Sequence, residues 1–274
     1  MEAVHIAVVV GGGLIGKRHL EEIDRSADAR IHSIVEPGPD REVLAARYGV
    51  RLYPTLDELL AGEKPDGIIL ATPNRLHAEG GLACVAAGVP VIVEKPIADT
   101  VENATRLVEA SEAAGVPVLT GHHRNYGPVM AKARAIVQSG RLGPLVAVVG
   151  TAMFYKPDDY FDVGDGWRRN LGGGPILLNL IHEVNNLLSL VGDIVRVQAV
   201  TSNATRGFPV ETPRRWSSPS PTVRWAPSCS RTPRRPLARG NRRRRRTSAT
   251  HPSTTRTATT SPAPMDRCRC RPCG

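Results

Sequence analysis

The stretch "VVVGGGLIGKRH", residues 8–19, decides how the rest of the chain is read. It sets Gly11-x-Gly13-x-x-Gly16 between an apolar run and a helical pattern. The first glycine of such a set allows a tight turn, the second lets backbone approach a pyrophosphate, and the third lets the helix pack on the strand. The helix start then offers unbonded N–H groups and the positive end of a dipole. Glycine-rich turns are common, so the reading depends on what surrounds this one. Twenty residues after Gly16 an acid, Glu36, closes a second apolar run. A carboxylate at that place accepts hydrogen bonds from a ribose diol and repels a 2′-phosphate. The pattern points to a dinucleotide cofactor, NAD by preference, with NADP as the alternative. Read blandly, Glu36 is a solvated charge at a strand end.

Outward from this turn, residues 4–120 alternate β-rich runs with helical patterns. Strands are predicted at 5–10, 30–35, 67–71, 91–94 and 117–120, and helices at 14–23, 40–48, 55–61, 75–87 and 99–114. Gly49, Gly62, Gly88 and Gly115 stand where helix C-caps belong. The strands are apolar throughout, as strands covered on both faces are. This alternation predicts an α/β fold, a doubly wound parallel sheet, over residues 1–121. Past Gly121 come a helix (128–140), a long strand (144–154), a polar aromatic loop, an apolar helix (175–191) and a strand (193–203). That order lacks βα alternation and predicts a second, incomplete α+β domain over residues 122–211.

Three stretches carry candidate chemistry. "VIVEKPIA" puts Glu94, Lys95 and Pro96 at a strand end, where open α/β sheets bind ligands. Pro96 holds Lys95 out of helical geometry; a solvated loop lysine is the bland alternative. "ATPNRLH" ends the preceding strand in the same way with Thr72, Pro73, Asn74 and His77, Asn74 being readable as an N-cap alone. "GGGPILLNLIHEVNNLL" places His182 on an apolar helix with Asn179 three residues before it, on the same face. A histidine on such a helix is commonly a satisfied core residue; a partnering Asn and a glycine-rich approach weigh against that.

Together with "TGHHRNYGP" and "YKPDDYF…WR", these stretches resemble the glucose–fructose oxidoreductase/inositol dehydrogenase/MocA (Gfo/Idh/MocA) family, in family order over residues 4–211. The resemblance implies a Rossmann domain followed by an α/β domain with an open, mostly antiparallel sheet. It implies hydride transfer between NAD(P) and a hydroxyl carbon of a sugar, polyol or related compound, and homo-oligomers for an intact member. The catalytic pair it implies is Lys95 and His182, with Asn179 beside them. Gly11, Gly13, Leu14, Ile15, Gly16, Glu36, Thr72, Pro73, Asn74, His77, Glu94 and Lys95 fall around the cofactor. Arg124, Tyr155, Trp167 and Arg168, with Asn179 and His182, are the substrate candidates; packing and surface charge are their bland roles. Many members carry an aspartate four residues before the histidine, where this chain has Leu178. A neutral amide such as Asn179 orients the ring but does not stabilise an imidazolium as a carboxylate does.

The formal net charge of +10 looks like a nucleic-acid signal but is local. From Thr212 onward sixteen Arg stand against one acid, Asp266, so residues 1–211 are mildly acidic and have no reason to seek phosphate backbones. Ten Pro, ten Thr and eight Ser crowd the same segment, a composition that predicts disorder over 212–274. An Arg-rich arm for nucleic acid has a real mechanism. A zinc knuckle fits less well, because Cys268, Cys270 and Cys273 lack a fourth ligand nearby; no metal is expected. GC-rich coding DNA read one base out of frame fits better. Codons rebuilt across the boundaries of "TPRRWSSPSPTVRWAPSC" (212–229) permit "DTAAVVLAVADGALGTLL", two β-rich runs around Asp-Gly. The tail therefore reads as a frameshift product, and the activity of this exact chain as impaired. Only Cys84 lies in the patterned part, so no disulfide framework is expected there. The opening "MEAVHIAVVVGGG" has no basic n-region and reads as a first strand; with no membrane-length run, a cytoplasmic protein with a small-molecule substrate is expected. A dinucleotide-binding module without catalysis is the competing reading, and a nucleic-acid binder the third.

Overall fold

The computed structural model describes residues 2–211 other than 12, 40, 153–154, 163–165 and 205, together with the two-residue strand 224–225. Six parallel strands form one sheet in the order β3-β2-β1-β4-β5-β6. They are β1 Val4–Val9, β2 Ala29–Val35, β3 Arg51–Tyr53, β4 Gly67–Leu70, β5 Val91–Glu94 and β6 Val118–Gly121. Helices α1 Leu14–Arg25, α2 Arg41–Tyr48, α3 Leu56–Ala61, α4 His77–Ala86 and α5 Val101–Ala114 alternate with them. This is the doubly wound sheet the sequence predicts, with one addition: β3, three residues long, pairs with Ser33–Val35 at the sheet edge.

Side chains of β1 alternate between two cores. Ala7 and Val9 join Leu70, Val93 and Leu107 on one face, and Val8 joins Leu20, Ile34 and Ile69 on the other. Both faces are covered, which is why the strand reads as an unbroken apolar run. Burying one Leu or Val side chain contributes about 1.5–3 kcal/mol, so this sheet is the rigid frame on which strand-end residues are mounted. The strand order reverses between β1 and β4, and ligands of such sheets bind beyond the carboxyl ends at that point. Gly49, Gly88 and Gly115 take left-handed φ of 63°, 75° and 65°. Gly62 does not; it ends α3 at φ −94°.

The second part holds α6 Pro128–Gln138, short turns at Asp158–Phe161 and Trp167–Arg169, a π-helical turn Ile176–Leu180, and α7 Ile181–Val191. The strand predicted over 144–154 is absent from its described residues, 144–152, and Val146 and Val149 are 87% and 90% exposed. A β-rich run becomes a strand only when a neighbour completes its hydrogen-bond ladder, and no described strand pairs with it. The strand predicted over 193–203 shrinks to β7 Val197–Gln198, antiparallel to β8 Arg224–Trp225. The other readings made of the tail, its disorder, its thiols and its frame, lie outside the described residues. Among the described residues no helix is long and apolar enough to cross a membrane.

Candidate active site

β1 runs into Gly11, whose φ is 61° and where a side chain would meet Thr72 Cα at 2.8 Å. At Gly16 a Cβ would lie 2.7 Å from Val10 Cα, so α1 rests directly on the end of β1. At Gly13 the nearest such atom is the Val10 carbonyl at 4.0 Å, which leaves that side of the turn open. Leu14 and Ile15 follow, 89% and 38% exposed. Thr72 Oγ1 is buried with no hydrogen-bond partner among the described residues. Glu36 is buried rather than solvated, and its Oε1 accepts the Gly38 N–H at 2.7 Å. An open turn at a helix start, an orphaned hydroxyl and a fixed carboxylate at the next strand end fit the pyrophosphate and ribose of a dinucleotide.

Asn74 opens a 3₁₀ turn, Asn74–Leu76, and caps no helix; its Nδ2 donates to the Gly172 carbonyl at 3.2 Å. Pro73 before it is exposed. His77, expected at the cofactor, is 1% exposed and turned inward. Its ring nitrogens lie 2.6 Å from the Pro96 carbonyl and 2.8 Å from the Thr72 carbonyl. Because α4 begins at His77 itself, the ring is carried into the core, where it ties the ends of β4 and β5 together. Glu94 is also a bracket, with Oε1 2.8 Å from His19 Nε2 and Oε2 accepting the Lys95 N–H at 3.2 Å. Burial pushes its carboxyl up, but the His19 hydrogen bond and charge, with Lys95, outweigh this and hold it below its ordinary value. Lys95 Nζ donates to the Leu178 carbonyl at 3.0 Å. Burial lowers this ammonium; Glu94 opposes the shift, and Arg124, Lys156 and Arg168 add to it.

The Leu178 carbonyl belongs to the π turn that leads into α7. A Cβ at Gly173 would strike Arg168 Cα and the Trp167 carbonyl, both at 2.5 Å, and one at Gly174 would strike the Glu211 carboxylate. The glycines thus let the Trp167–Arg169 turn and Glu211 close over the start of the helix. Glu211 accepts the Ile176 N–H, a negative group where a helix dipole favours one. His182 follows, 4% exposed, its Nδ1 buried with no hydrogen-bond partner among the described residues. Burial first, then Lys95, Arg124, His123 and His122, push its ring down to about 3. The rings of His123 and His122 stand edge-on to it, with centroids at 4.8 and 5.8 Å.

Asn179 does not orient that ring. Its Oδ1 accepts from Lys156 Nζ at 3.0 Å, and its Nδ2 reaches Tyr160 Oη at 3.5 Å. A π turn is wider than an α turn and winds less per residue, so three residues do not bring Asn179 back over His182. Arg124 holds Glu183 at 2.6 Å. The Arg168 guanidinium lies 4.3 Å from the Tyr160 ring centroid and 5.5 Å from that of Trp167, and its Nη1 donates to the Tyr160 carbonyl at 2.9 Å. Tyr155 is 63% exposed. The sequence reading passed over Lys156, one residue further along the same loop, and over His19, Tyr160 and the "HH" pair at the end of β6. The pair's position just past a strand end was a usable signal. His122 is lowered by burial and by Lys95, against the pull of Glu94.

The strand order, the open glycine turn and the buried strand-end carboxylate define a dinucleotide-binding α/β protein. The chain belongs to the Gfo/Idh/MocA oxidoreductase family. Residues 6–122 match the family's oxidoreductase model with an NAD-binding Rossmann fold, and residues 130–215 match the GFO/IDH/MocA C-terminal domain. Inositol 2-dehydrogenase of Corynebacterium glutamicum (strain R) is 30% identical over 191 residues, 68% of this chain and 54% of the relative. The 1,5-anhydro-D-fructose reductase of Ensifer adhaerens is 29% identical over 191 residues, 68% of this chain and 56% of the relative. The chain thus spans little more than half the length of either. The Bordetella pertussis WlbA dehydrogenase, solved with NADH and UDP-GlcNAcA, superposes with a TM-score of 0.72 at 28% identity over 77% of this chain and 65% of that one.

Proposed function

We propose that the chain derives from an NAD-dependent oxidoreductase that moves hydride between nicotinamide and a hydroxyl carbon of a sugar, polyol or related compound. One observation carries this: Lys95, at the end of β5, reaches the carbonyl of Leu178, at the threshold of the helix that bears His182. Residues 1–121 are read as the cofactor half and 122–211 as part of the substrate half. When bound, NAD supplies the hydride acceptor. The glycine turn and Glu36 hold its pyrophosphate and ribose. His182 is neutral near pH 7 and takes the hydroxyl proton once the growing negative charge beside it raises the ring from about 3. Lys95 Nζ keeps N–H groups beyond the one on Leu178; these bond the substrate oxygen and offset its growing negative charge.

The chain is further inferred to leave its reading frame near residues 210–212, which removes later strands and impairs turnover. Sequencing the DNA across those codons tests this; an unbroken frame encoding the same tail overturns it. In the frame-restored protein, Lys95→Ala should lower the rate of inositol oxidation about 10²–10⁴-fold with NADH titrating as before. Near-normal turnover overturns the scheme. A second reading, a dinucleotide-binding module without turnover, is favoured by the apolar Leu178 where a carboxylate would stabilise an imidazolium. NADH binding with no oxidation of any sugar or polyol would support it.

A further inference from the structure

The charged groups gathered around Lys95 are mostly donors, Arg124, Lys156 and Arg168 against Glu94. Lys95 and Arg168 form no salt bridge among the described residues, and four described carboxylates of this region hold other partners. Glu94 faces His19, Glu183 faces Arg124, Asp158 faces Arg206 and Asp162 faces Arg169. Arg168 Nε is buried with no hydrogen-bond partner among the described residues, an N–H withdrawn from water without an acceptor. Lys156 and Arg168 lie 4.5 and 4.3 Å from the same Tyr160 ring centroid. Lys156 also holds Asn179, the residue after the one whose carbonyl holds Lys95. A continuous run of contacts therefore joins Arg168 to Lys95, and the rings of Tyr160 and Trp167 hold the guanidinium as a planar fork. A hydroxyl both donates and accepts, whereas an oxyanion only accepts and also relieves repulsion among cations.

We propose that the site takes an anionic substrate, a sugar or polyol carrying a carboxylate or phosphate group, which Arg168 receives together with Lys156 while Lys95 and His182 face the carbinol. This deepens the dehydrogenase reading and rests on it. Burial and the nearby Arg124 and Arg168 lower both Lys95 and Lys156, a cost that an arriving anion reduces.

The test is calorimetric titration of the full chain, with and without NADH, using D-glucuronate, D-glucose 6-phosphate, D-glucose and sodium sulfate. One or both sugar anions should bind about tenfold or more tighter than glucose and sulfate; whichever arm prevails identifies the anionic group. Arg168→Gln should bring that preference to about threefold or less. Arg168→Lys, which keeps the charge and loses the fork, should also narrow it. Equal affinity for glucose and both sugar anions, sulfate binding as tightly as they do, or a preference untouched by both variants overturns the proposal. Absence of NADH binding overturns the dehydrogenase reading instead, and the sugar arms then judge the charge preference on the chain without cofactor.

Discussion

His182 is where burial and charge act in one direction. Its ordinary value is 6.5 and its folded value about 3, so the unfolded chain takes up a proton first as pH falls. The native state is then stabilised above 6.5 and loses that contribution as pH drops toward 3. His182→Gln should flatten this loss by up to about 1.4 kcal/mol per pH unit, read from urea unfolding between pH 6.5 and 4. Glu36 makes a second prediction. Its carboxylate is fixed by the Gly38 N–H, and the proposed reading gives it the preference between cofactors. Glu36→Ala should weaken NADH binding about tenfold and narrow the gap to NADPH, measured by fluorescence titration. The sequence set Lys95 and His182 as partners across two segments, and Lys95 reaches the Leu178 carbonyl that leads into the His182 helix. The sequence misplaced His77 and Asn179, because a spacing of three or four says which face a residue occupies only if the turn between is α-helical and begins where expected.

At the level of elements, the glycine run before α7 lets the Trp167–Arg169 turn and Glu211 approach the helix start. Gly173→Ala would drive a Cβ to 2.5 Å from Arg168 Cα, and the contact is backbone, which yields poorly. It should cost about 1–3 kcal/mol in urea unfolding and abolish sugar-anion binding, while NADH binding persists. The doubly wound sheet was legible because β1, β2, β4 and β5 are largely apolar runs with buried residues and a helix after each. β3 escaped notice because it is three residues long and pairs along one edge. The strands expected at 144–154 and 193–203 were misjudged for a different reason. β-rich composition states an appetite for partners, and it is the partners that decide. The π turn left no trace in the residue pattern, since the apolar positions of 175–191 suit an α-helix equally well.

For the whole molecule, charge and architecture are separable. Residues 212–274 hold sixteen of the arginines, and deleting them turns a formal charge of +10 mildly negative. Retention on heparin should fall away with the deletion and, in the full chain, with rising salt. NADH affinity should stay within about twofold, because the glycine turn and its neighbours lie in residues 1–121. Two threads stitch the strand ends to the glycine-rich segment, Asn74 to the Gly172 carbonyl and Lys95 to the Leu178 carbonyl. Because the ammonium has N–H groups left over, a guest oxygen joins the second thread without cutting it. The rim then stays laced when the site fills, and one cation serves a peptide oxygen and the guest together.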